Sequence, residues 1–233
     1  MKADIAIIGA MEPEVKELLG LLKRHRVKTV AGVDLHLGRL CGKRVVIAKC
    51  GIGKVFAALC TQIIIDRYKP KLIVNTGVGG AVAEGLSTGD IVIASGLCQH
   101  DMDTSAIGDP KGLVSGINKI FFEADKRAID LLKCFADEKG YSSTVGRIAT
   151  GDKFIATAEE KRRIASEFSA SACEMEGCAV AQVAFVNSTP FAVVRAISDS
   201  ADGEATMDYP TFLPLAAHRS ADLTLSLVRE YKL

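Results

Sequence analysis

The sequence predicts an α/β protein, a single domain over residues 1–233 with a mixed central sheet flanked by helices. Short runs of β-branched and aliphatic residues, typical of buried strands, recur along the whole chain. Segments with apolar residues at helical spacing separate these runs, and such alternation indicates a largely parallel sheet covered by helices. No linker, repeat or low-complexity stretch interrupts the 233 residues, a length sufficient for one substantial core.

The first part of the chain begins with a predicted buried strand, "DIAIIGA". Pro13 suits the first turn of the next helix, because its missing N–H costs nothing there, and the apolar spacing continues through "LGLLKRH". Strands with polar turns follow in "VKTVAGVDLHLGRL" and "KRVVIAKCG", and they are predicted to pair antiparallel. The segment "GKVFAALCTQIIIDRYK" is apolar on most of its surface, which predicts a buried helix.

The second part repeats the alternation. Strands are predicted at "KLIVNTGVGG", "DIVIASG", "STVGRIATGD" and "PFAVVRAISD", and a loop at "HDMDTSAIGDPKGLVSG". Helices are predicted around "EADKRAIDLLKCFADEKG", "AEEKRRIASEF" and "EMEGCAVAQVAFV", with a last one from about Pro210 to Tyr231. Because ligand sites in such sheets lie at the carboxyl ends of the strands, the residues after each strand are the candidates for function.

Charge and cysteine content narrow the classes of function. The 29 Lys and Arg balance 28 Asp and Glu, so no surface for nucleic acid or for a membrane is predicted. The seven Cys are odd in number and lie mostly within apolar runs, which favours reduced thiols in a cytoplasmic protein. The N-terminal apolar run is short and no stretch of about 18 apolar residues occurs, so neither a signal peptide nor a membrane span is expected.

Five strand ends carry candidate functional residues. Carboxylates follow four of these strands, and glycines follow the fifth. The residues concerned are Glu12 and Glu14, Gly77 to Gly80, Asp152, Glu174 and Glu176, and Ser198 with Asp199. Each has a structural alternative: an acid can favour a helix dipole or cap a helix, and glycines can form a tight turn. Glu176 fits such an alternative least well, because it opens a strongly apolar helix where an unpartnered buried carboxylate would be costly.

Several other chemistries are disfavoured by the sequence. "GVGGAV" lacks the third glycine of a dinucleotide fingerprint, and no Walker lysine follows it. His100 has no second histidine near it in sequence, and no G-x-S-x-G segment occurs. The candidate residues at the strand ends therefore indicate acid–base chemistry on a neutral, partly apolar ligand, with no cofactor and no metal.

The motifs "IGAMEPEV", "CGIGKV", "VNTGVGG", "GDIVIA", "HDMD", "GDKFI", "EMEGCAVA" and "VVRAISDSAD" occur in this order over the full length. Together they resemble the bacterial 5'-methylthioadenosine/S-adenosylhomocysteine nucleosidases of the nucleoside phosphorylase superfamily. The resemblance implies a nucleoside phosphorylase-like fold and a homodimer without cofactor or metal. It also implies hydrolysis of the N-glycosidic bond of 5'-substituted adenine nucleosides to adenine and 5'-substituted ribose.

The resemblance further implies roles for single residues. Glu14 matches the base that activates the attacking water, Asp199 the acid that protonates adenine at N7, and Glu176 the group that binds the ribose hydroxyls. Ile107 matches a position that reaches the 5'-pocket of the partner subunit. The remaining substrate-binding positions that it implies are Met11, Val78, Gly79, Phe154, Ile155, Glu174, Met175, Arg195, Ser198 and Tyr209.

Two departures from the family pattern keep alternatives open. Val78 stands where the family often has Ser, and Ile107 stands where it often has an aromatic residue. Since the departures lie on the sugar and 5' side, a related futalosine-type nucleosidase is an alternative. A purine nucleoside phosphorylase would need cations for phosphate in the first loop, which instead carries Glu14. A non-catalytic nucleoside sensor would not need three carboxylates from separate strand ends.

Overall fold

The computed structural model describes residues 2–199 and 205–233, with side chains in the second range from Tyr209 onwards. Within these residues the chain forms ten strands and six α-helices. The strands are β1 (Ile5–Gly9), β2 (Lys23–Val30), β3 (Val33–Leu40), β4 (Lys43–Lys49), β5 (Leu72–Ala81), β6 (Ile91–Gln99), β7 (Phe122–Glu123), β8 (Ser143–Thr150), β9 (Ala170–Glu174) and β10 (Phe191–Asp199). The helices are α1 (Glu12–Gly20), α2 (Lys54–Tyr68), α3 (Lys126–Glu138), α4 (Ala158–Phe168), α5 (Gly177–Val186) and α6 (Ala205–Glu230).

One mixed sheet contains all of these strands and, with its helices, forms the predicted single α/β domain. Its order is β10-β6-β8-β9-β5-β1-β4-β3-β2, with β7 paired to β6. Because β10 also pairs with β5, five strands close into a ring: β5, β10, β6, β8 and β9. The chain runs parallel in β4-β1-β5-β10 and in β6-β8-β9, and these two groups run antiparallel to each other where β10 pairs with β6 and β5 pairs with β9.

Both faces of the sheet are buried, which explains why its central strands are continuously apolar. In β1 the side chains alternate: Ala6 and Ile8 belong to a core with α2 and α5, whereas Ile5 and Ile7 belong to a core with α1, α3 and α6. These two layers hold the strand ends in fixed positions. No helix in the described part of the chain is both long and apolar enough to cross a membrane.

Three local predictions need correction. The helix α1 ends at Gly20, a poor helix former, and "KRH" instead opens the exposed edge strand β2. The helix α2 is not buried all round, because Val55 and Phe56 are exposed. The glycines of "GVGG" belong to β5, which continues to Ala81, so the tight-turn alternative is wrong.

The last helix also differs from its predicted extent. It begins at Ala205, so Pro210 and Pro214 lie inside α6 rather than at its start. The end of the motif "VVRAISDSAD", residues 200–202, lies outside the described residues. The structure describes this motif as far as Asp199, and Ser198 and Asp199 form the end of β10.

Candidate active site

A cavity of about 290 Å³ opens where β1, β5, β8, β9 and β10 end, close to the lower limit of roughly 300 Å³ for small-molecule sites. The strand ends singled out in the sequence therefore surround one space. Its walls carry four carboxylates and a set of apolar side chains. The lining residues are Ala10, Met11, Glu14, Ile52, Val78, Gly79, Gly80, Lys153, Phe154, Ile155, Cys173, Glu174, Met175, Glu176, Ser198, Asp199 and Tyr209.

Glu14 is a buried carboxylate held by backbone donors. Its Oε2 accepts hydrogen bonds from the N–H groups of Ala10 and Met11 at 2.7 and 2.8 Å, and its Oε1 accepts one from the N–H of Val78 at 3.1 Å. Burial raises the pKa of Glu14 above its ordinary value, while the charge of Arg195 and the backbone donors oppose this rise. Such a group is a stronger base than an exposed glutamate and sits in one fixed orientation.

Arg195 lies beneath the cavity in a buried network with Glu174. Its guanidinium donates to Glu174 Oε2 and to Asn75 Oδ1, and also to the carbonyl oxygens of Asn75 and Val194 at 3.2 and 3.0 Å. Both members of the Arg195–Glu174 ion pair are buried. This pairing explains why an arginine stands in the middle of the apolar strand β10, since a buried cation needs a partner.

Glu174 organises the start of α5. Its Oε2 accepts the N–H groups of Glu176 and Gly177 at 3.1 and 2.7 Å, and its Oε1 accepts the hydroxyl of Thr150. Protein groups thus engage both of its oxygens. Although Glu174 lines the cavity, these contacts indicate that it mainly fixes the backbone from which Glu176 projects.

Glu176 precedes α5 and is the carboxylate with the fewest protein contacts. Its Oε1 accepts the N–H of Gly53 at 2.7 Å, and among the described residues Oε2 has no hydrogen-bond donor. Burial, and then the charge of Glu174, raise the pKa of Glu176 to about 8. A carboxyl that lines a cavity with one free oxygen is available to bind hydroxyl groups of a ligand.

Asp199 ends β10 and is held on both oxygens. Its Oδ2 accepts a hydrogen bond from Lys161 Nζ at 2.8 Å, and its Oδ1 lies 3.0 Å from Ser198 Oγ. Lys161 and Asp199 are both buried. The sheet therefore presents a second fixed carboxyl group to the cavity, besides Glu14.

The glycines of β5 make room for these two groups. A Cβ atom on Gly77 would overlap the carboxylate of Glu14, and one on Gly80 would lie 2.7 Å from Asp199 Oδ2. A side chain at either position would displace the carboxyl group beside it. The glycines of "GVGG" thus allow close packing of the strand against carboxyl groups.

Apolar and aromatic side chains form the rest of the wall. Phe154 and Tyr209 meet edge to face with ring centroids 5.6 Å apart, and the Tyr209 hydroxyl lies 3.2 Å from Met11 Sδ. Phe154 is partly exposed at the cavity, whereas Ile155 is buried. These groups offer flat and apolar surfaces to a ring system and its substituent.

Two of the predicted site residues do not line the cavity in a single chain. Arg195 lies behind it, against Glu174 and Asn75. Ile107 is 82% exposed in a short 3₁₀ turn and is not part of this wall. The other twelve predicted residues line the cavity.

Lys161 and Cys173 are neighbours of the carboxyl groups that the sequence did not single out. Cys173 lines the cavity, and burial raises the pKa of its thiol to about 12. For Lys161 a signal did exist, because it shares the apolar face of α4 with Ile164 and Phe168. A lysine at a core position of an amphipathic helix indicates a buried acidic partner.

The fold and the strand-end cavity define a class of protein. The family model of the phosphorylase superfamily matches residues 4–229, which is nearly the whole chain. The closed ring of five strands, the flanking helices and the cavity at the carboxyl ends all fall within this match.

Comparison with individual similar proteins narrows the class from the phosphorylase superfamily to one family. A 5'-methylthioadenosine/S-adenosylhomocysteine nucleosidase from Haemophilus influenzae (strain PittEE) is 41% identical over 225 residues, 96% of this chain and 98% of that protein. The solved structure of the Neisseria meningitidis nucleosidase of the same name, in complex with methylthio-immucillin-A, matches with a TM-score of 0.94 and 35% identity, covering 97% of this chain and 99% of that one. A native structure of futalosine hydrolase from Helicobacter pylori strain 26695 matches with a TM-score of 0.92 and 36% identity over 98% of each chain.

The chain belongs to the 5'-methylthioadenosine/S-adenosylhomocysteine nucleosidase family of the phosphorylase superfamily. The fold, the family and the enzyme class predicted from the sequence, an N-glycosyl hydrolase, are confirmed.

Proposed function

We propose that the enzyme hydrolyses the N-glycosidic bond of 5'-methylthioadenosine and S-adenosylhomocysteine, releasing adenine and a 5'-substituted ribose. The observation that carries this proposal is one cavity with three buried carboxyl groups from separate strand ends, Glu14, Glu176 and Asp199. The reaction needs a base for water, a group for the ribose hydroxyls and an acid for the leaving adenine.

Glu14 is the base in this proposal. Its carboxylate is fixed by the N–H groups of Ala10, Met11 and Val78, so it can hold a water molecule in one position. Its raised pKa strengthens it as a base near neutral pH. General base catalysis of this kind contributes typically 10²–10⁴-fold to a rate.

Asp199 and Glu176 act on the other parts of the substrate. Adenine is a poor leaving group as an anion, so Asp199 protonates N7 as the C1'–N9 bond breaks. The sugar becomes oxocarbenium-like, and Glu176, through its free oxygen, accepts hydrogen bonds from the ribose hydroxyls that strengthen in the transition state. Phe154 and Tyr209 cover the base and the 5' side with aromatic surface.

The charge of the cavity favours water over phosphate as the nucleophile. Four carboxyl groups line it, whereas the cation among the described lining residues is Lys153, which already pairs with Glu160. Repulsion amounts to about 4 kcal/mol for two unit charges 4 Å apart at an effective dielectric constant of 20. A phosphate dianion beside Glu14 would meet this penalty, so we expect hydrolysis and not phosphorolysis.

Adenine release from 5'-methylthioadenosine, measured with and without inorganic phosphate, tests the proposal. We expect a rate indifferent to phosphate and free 5-methylthioribose as the second product. Glu14→Gln should remove most of this rate, while the control Glu12→Gln, an exposed acid in the same helical turn, should keep it. Ribose 1-phosphate as a product, or a rate proportional to phosphate, would contradict the proposal.

A futalosine-type nucleoside is the second candidate substrate, because the Helicobacter pylori futalosine hydrolase resembles this chain as closely as several nucleosidases do. The same assay with such a nucleoside ranks the two. Faster cleavage of the futalosine-type nucleoside would move the assignment to that activity without changing the roles of Glu14 and Asp199.

A homodimer is the proposed assembly. Four exposed apolar residues, the α2 stripe, lie at the start of α2: Val55, Phe56 and Leu59 share one side of the helix, and Ile52 lies just before it. Ile52 also lines the cavity, so the stripe begins at the mouth of the site. A second copy seated on this stripe would bury it, and its exposed Ile107 could then reach the 5' side of the neighbouring cavity.

The cytoplasm is the proposed location of the enzyme. All seven cysteines are free thiols, and five of them are buried. Reduced cysteines of this kind are typical of reducing compartments.

A further inference from the structure

The side chain of Lys161 is wholly buried, a rare position for a lysine. It lies on α4, on the same helix face as the buried Ile164 and Phe168. Its Nζ donates a hydrogen bond to Asp199 Oδ2 at 2.8 Å, so α4 delivers a cation to the acid of the proposed reaction. Because removing an ammonium group from water is costly, polar partners must retain it there, and Asp199 is one of them.

The ammonium group limits where Asp199 can carry a proton. A lysine Nζ has three donors and no acceptor, so the Oδ2 that it contacts must accept and stays unprotonated. A proton on Asp199 therefore sits on Oδ1. That oxygen lies 3.0 Å from Ser198 Oγ, which in turn lies 3.3 Å from the carbonyl oxygen of Gly79.

Ser198 serves both protonation states of Asp199 by turning its hydroxyl hydrogen. When Asp199 is ionised, the hydroxyl donates to Oδ1. When Oδ1 carries a proton, the hydroxyl donates to the Gly79 carbonyl, and Ser198 Oγ accepts from Oδ1. The carboxyl group itself stays in place in both states because Lys161 holds the other oxygen.

We propose that Lys161 is a positioning residue of the hydrolysis, which holds Oδ2 of Asp199 so that Oδ1 delivers the proton to the leaving adenine. This inference rests on the proposed function. In the step, the Oδ1–H bond breaks, the N7–H bond forms, and the electron pair of the C1'–N9 bond passes to adenine. Water supplies the oxygen that bonds to C1', and its proton goes to Glu14. Asp199 is left as a carboxylate 2.8 Å from Lys161 Nζ, and this charge-assisted hydrogen bond stabilises it.

The first test compares two leaving groups in the variant Lys161→Met, which keeps an unbranched side chain of similar length but has no donor. With 5'-methylthioadenosine we expect kcat to fall by about 10- to 100-fold and KM to stay within about threefold. With 4-nitrophenyl 5-methylthioribofuranoside, whose phenolate departs without a proton, kcat should change by less than about threefold. Arg162→Met removes an exposed cation from the neighbouring position and should behave as the wild type on both substrates.

The second test is a double-mutant cycle with Asp199→Asn. If Lys161 acts through Asp199, adding Lys161→Met to Asp199→Asn should leave kcat unchanged within about twofold. This double variant removes both charges of the Lys161–Asp199 ion pair together, and its comparison with Asp199→Asn does not depend on the stability of Lys161→Met alone.

The outcomes separate the inference from the function on which it rests. A wild type that releases no adenine, or Asp199→Asn with wild-type turnover, would remove the proposed function. A slow Asp199→Asn beside a normal Lys161→Met would overturn only the role of Lys161. Equal losses on both substrates would also overturn it, because they indicate an effect that does not depend on the leaving group. Additive losses in the double variant would overturn it as well, because they indicate that Lys161 acts independently of Asp199. Selective loss on the adenine nucleoside together with a non-additive cycle supports it.

Discussion

We expect Glu176 to destabilise the ligand-free enzyme at alkaline pH. The burial that suits its carboxyl group for binding sugar hydroxyls also disfavours the ionised form of that group. Its pKa is raised from 4.5 to about 8, first by burial and then by the charge of Glu174. The folded state therefore binds this proton more tightly than the unfolded state. It follows that the stability contributed by the neutral carboxyl is complete below about pH 4.5 and is lost as the pH rises through about 8.

The size of the effect follows from the two pKa values. Each tenfold change in proton affinity corresponds to about 1.4 kcal/mol, so the change from 4.5 to about 8 amounts to at most about 5 kcal/mol. Burial is the larger cause of this shift, and Glu174 and Glu14 share the electrostatic part of it, so we expect roughly 2–3 kcal/mol to be recovered when Glu176 alone loses its charge. Glu176→Gln removes the charge at every pH, and its amide oxygen still accepts the hydrogen bond from the Gly53 N–H.

Thermal unfolding of the ligand-free protein at pH 5 and pH 9 measures the stability that is lost when Glu176 ionises. For a chain of this length, 1 kcal/mol moves the midpoint by roughly 2–4 °C, so we expect Glu176→Gln to unfold about 5–10 °C above the wild type at pH 9. At pH 5, near the pKa of 4.5 in the unfolded chain, most of this difference should be absent. Glu84→Gln, an exposed control, should match the wild type at both pH values. An equal shift at both pH values, or a less stable variant at pH 9, would refute the reasoning.

Further predictions concern the acid, the glycines and the assembly. Asp199→Asn should lower adenine release from 5'-methylthioadenosine by about 10²-fold or more while the affinity for substrate changes little, as steady-state kinetics and calorimetry would measure. Gly77→Ala should lower kcat by a similar factor, since its Cβ would overlap the Glu14 carboxylate, whereas Gly20→Ala has open space and should not. Val55→Glu in the α2 stripe should convert a dimer to monomers in sedimentation velocity, whereas Val27→Glu on the exposed strand β2 should leave the dimer intact.

The sequence predicts the layout of the site well, because ligand sites in α/β sheets lie just after the carboxyl ends of strands. The buried runs before Glu14 and Asp199 are unambiguous, and both residues line one cavity. The helix α1 is predicted too long because Leu21 and Leu22 continue its apolar spacing. The pairing of β2 with β3 shows that the chain has already left the helix there.

The sequence does not determine which charged residues pair with each other when they are far apart along the chain. Arg195 is predictably buried, but its contact with Glu174, 21 positions earlier, depends on how β9 and β10 pack around the ring. The contact between Lys161 and Asp199 joins α4 to the end of β10 in the same way. In both cases the charge signals that a partner exists, whereas the identity of that partner follows from the topology.

The two glycines of β5 connect this topology with the chemistry. Gly77 and Gly80 are three residues apart on one strand, so Cβ atoms at these positions would point to opposite faces of it. Glu14 packs against the first position and Asp199 against the second. Direct displacement by water needs the attacking oxygen and the leaving base on opposite sides of the anomeric carbon, and thus needs the base and the acid apart. A single strand of the closed ring therefore keeps the two groups separated, while its missing side chains let both reach the same cavity.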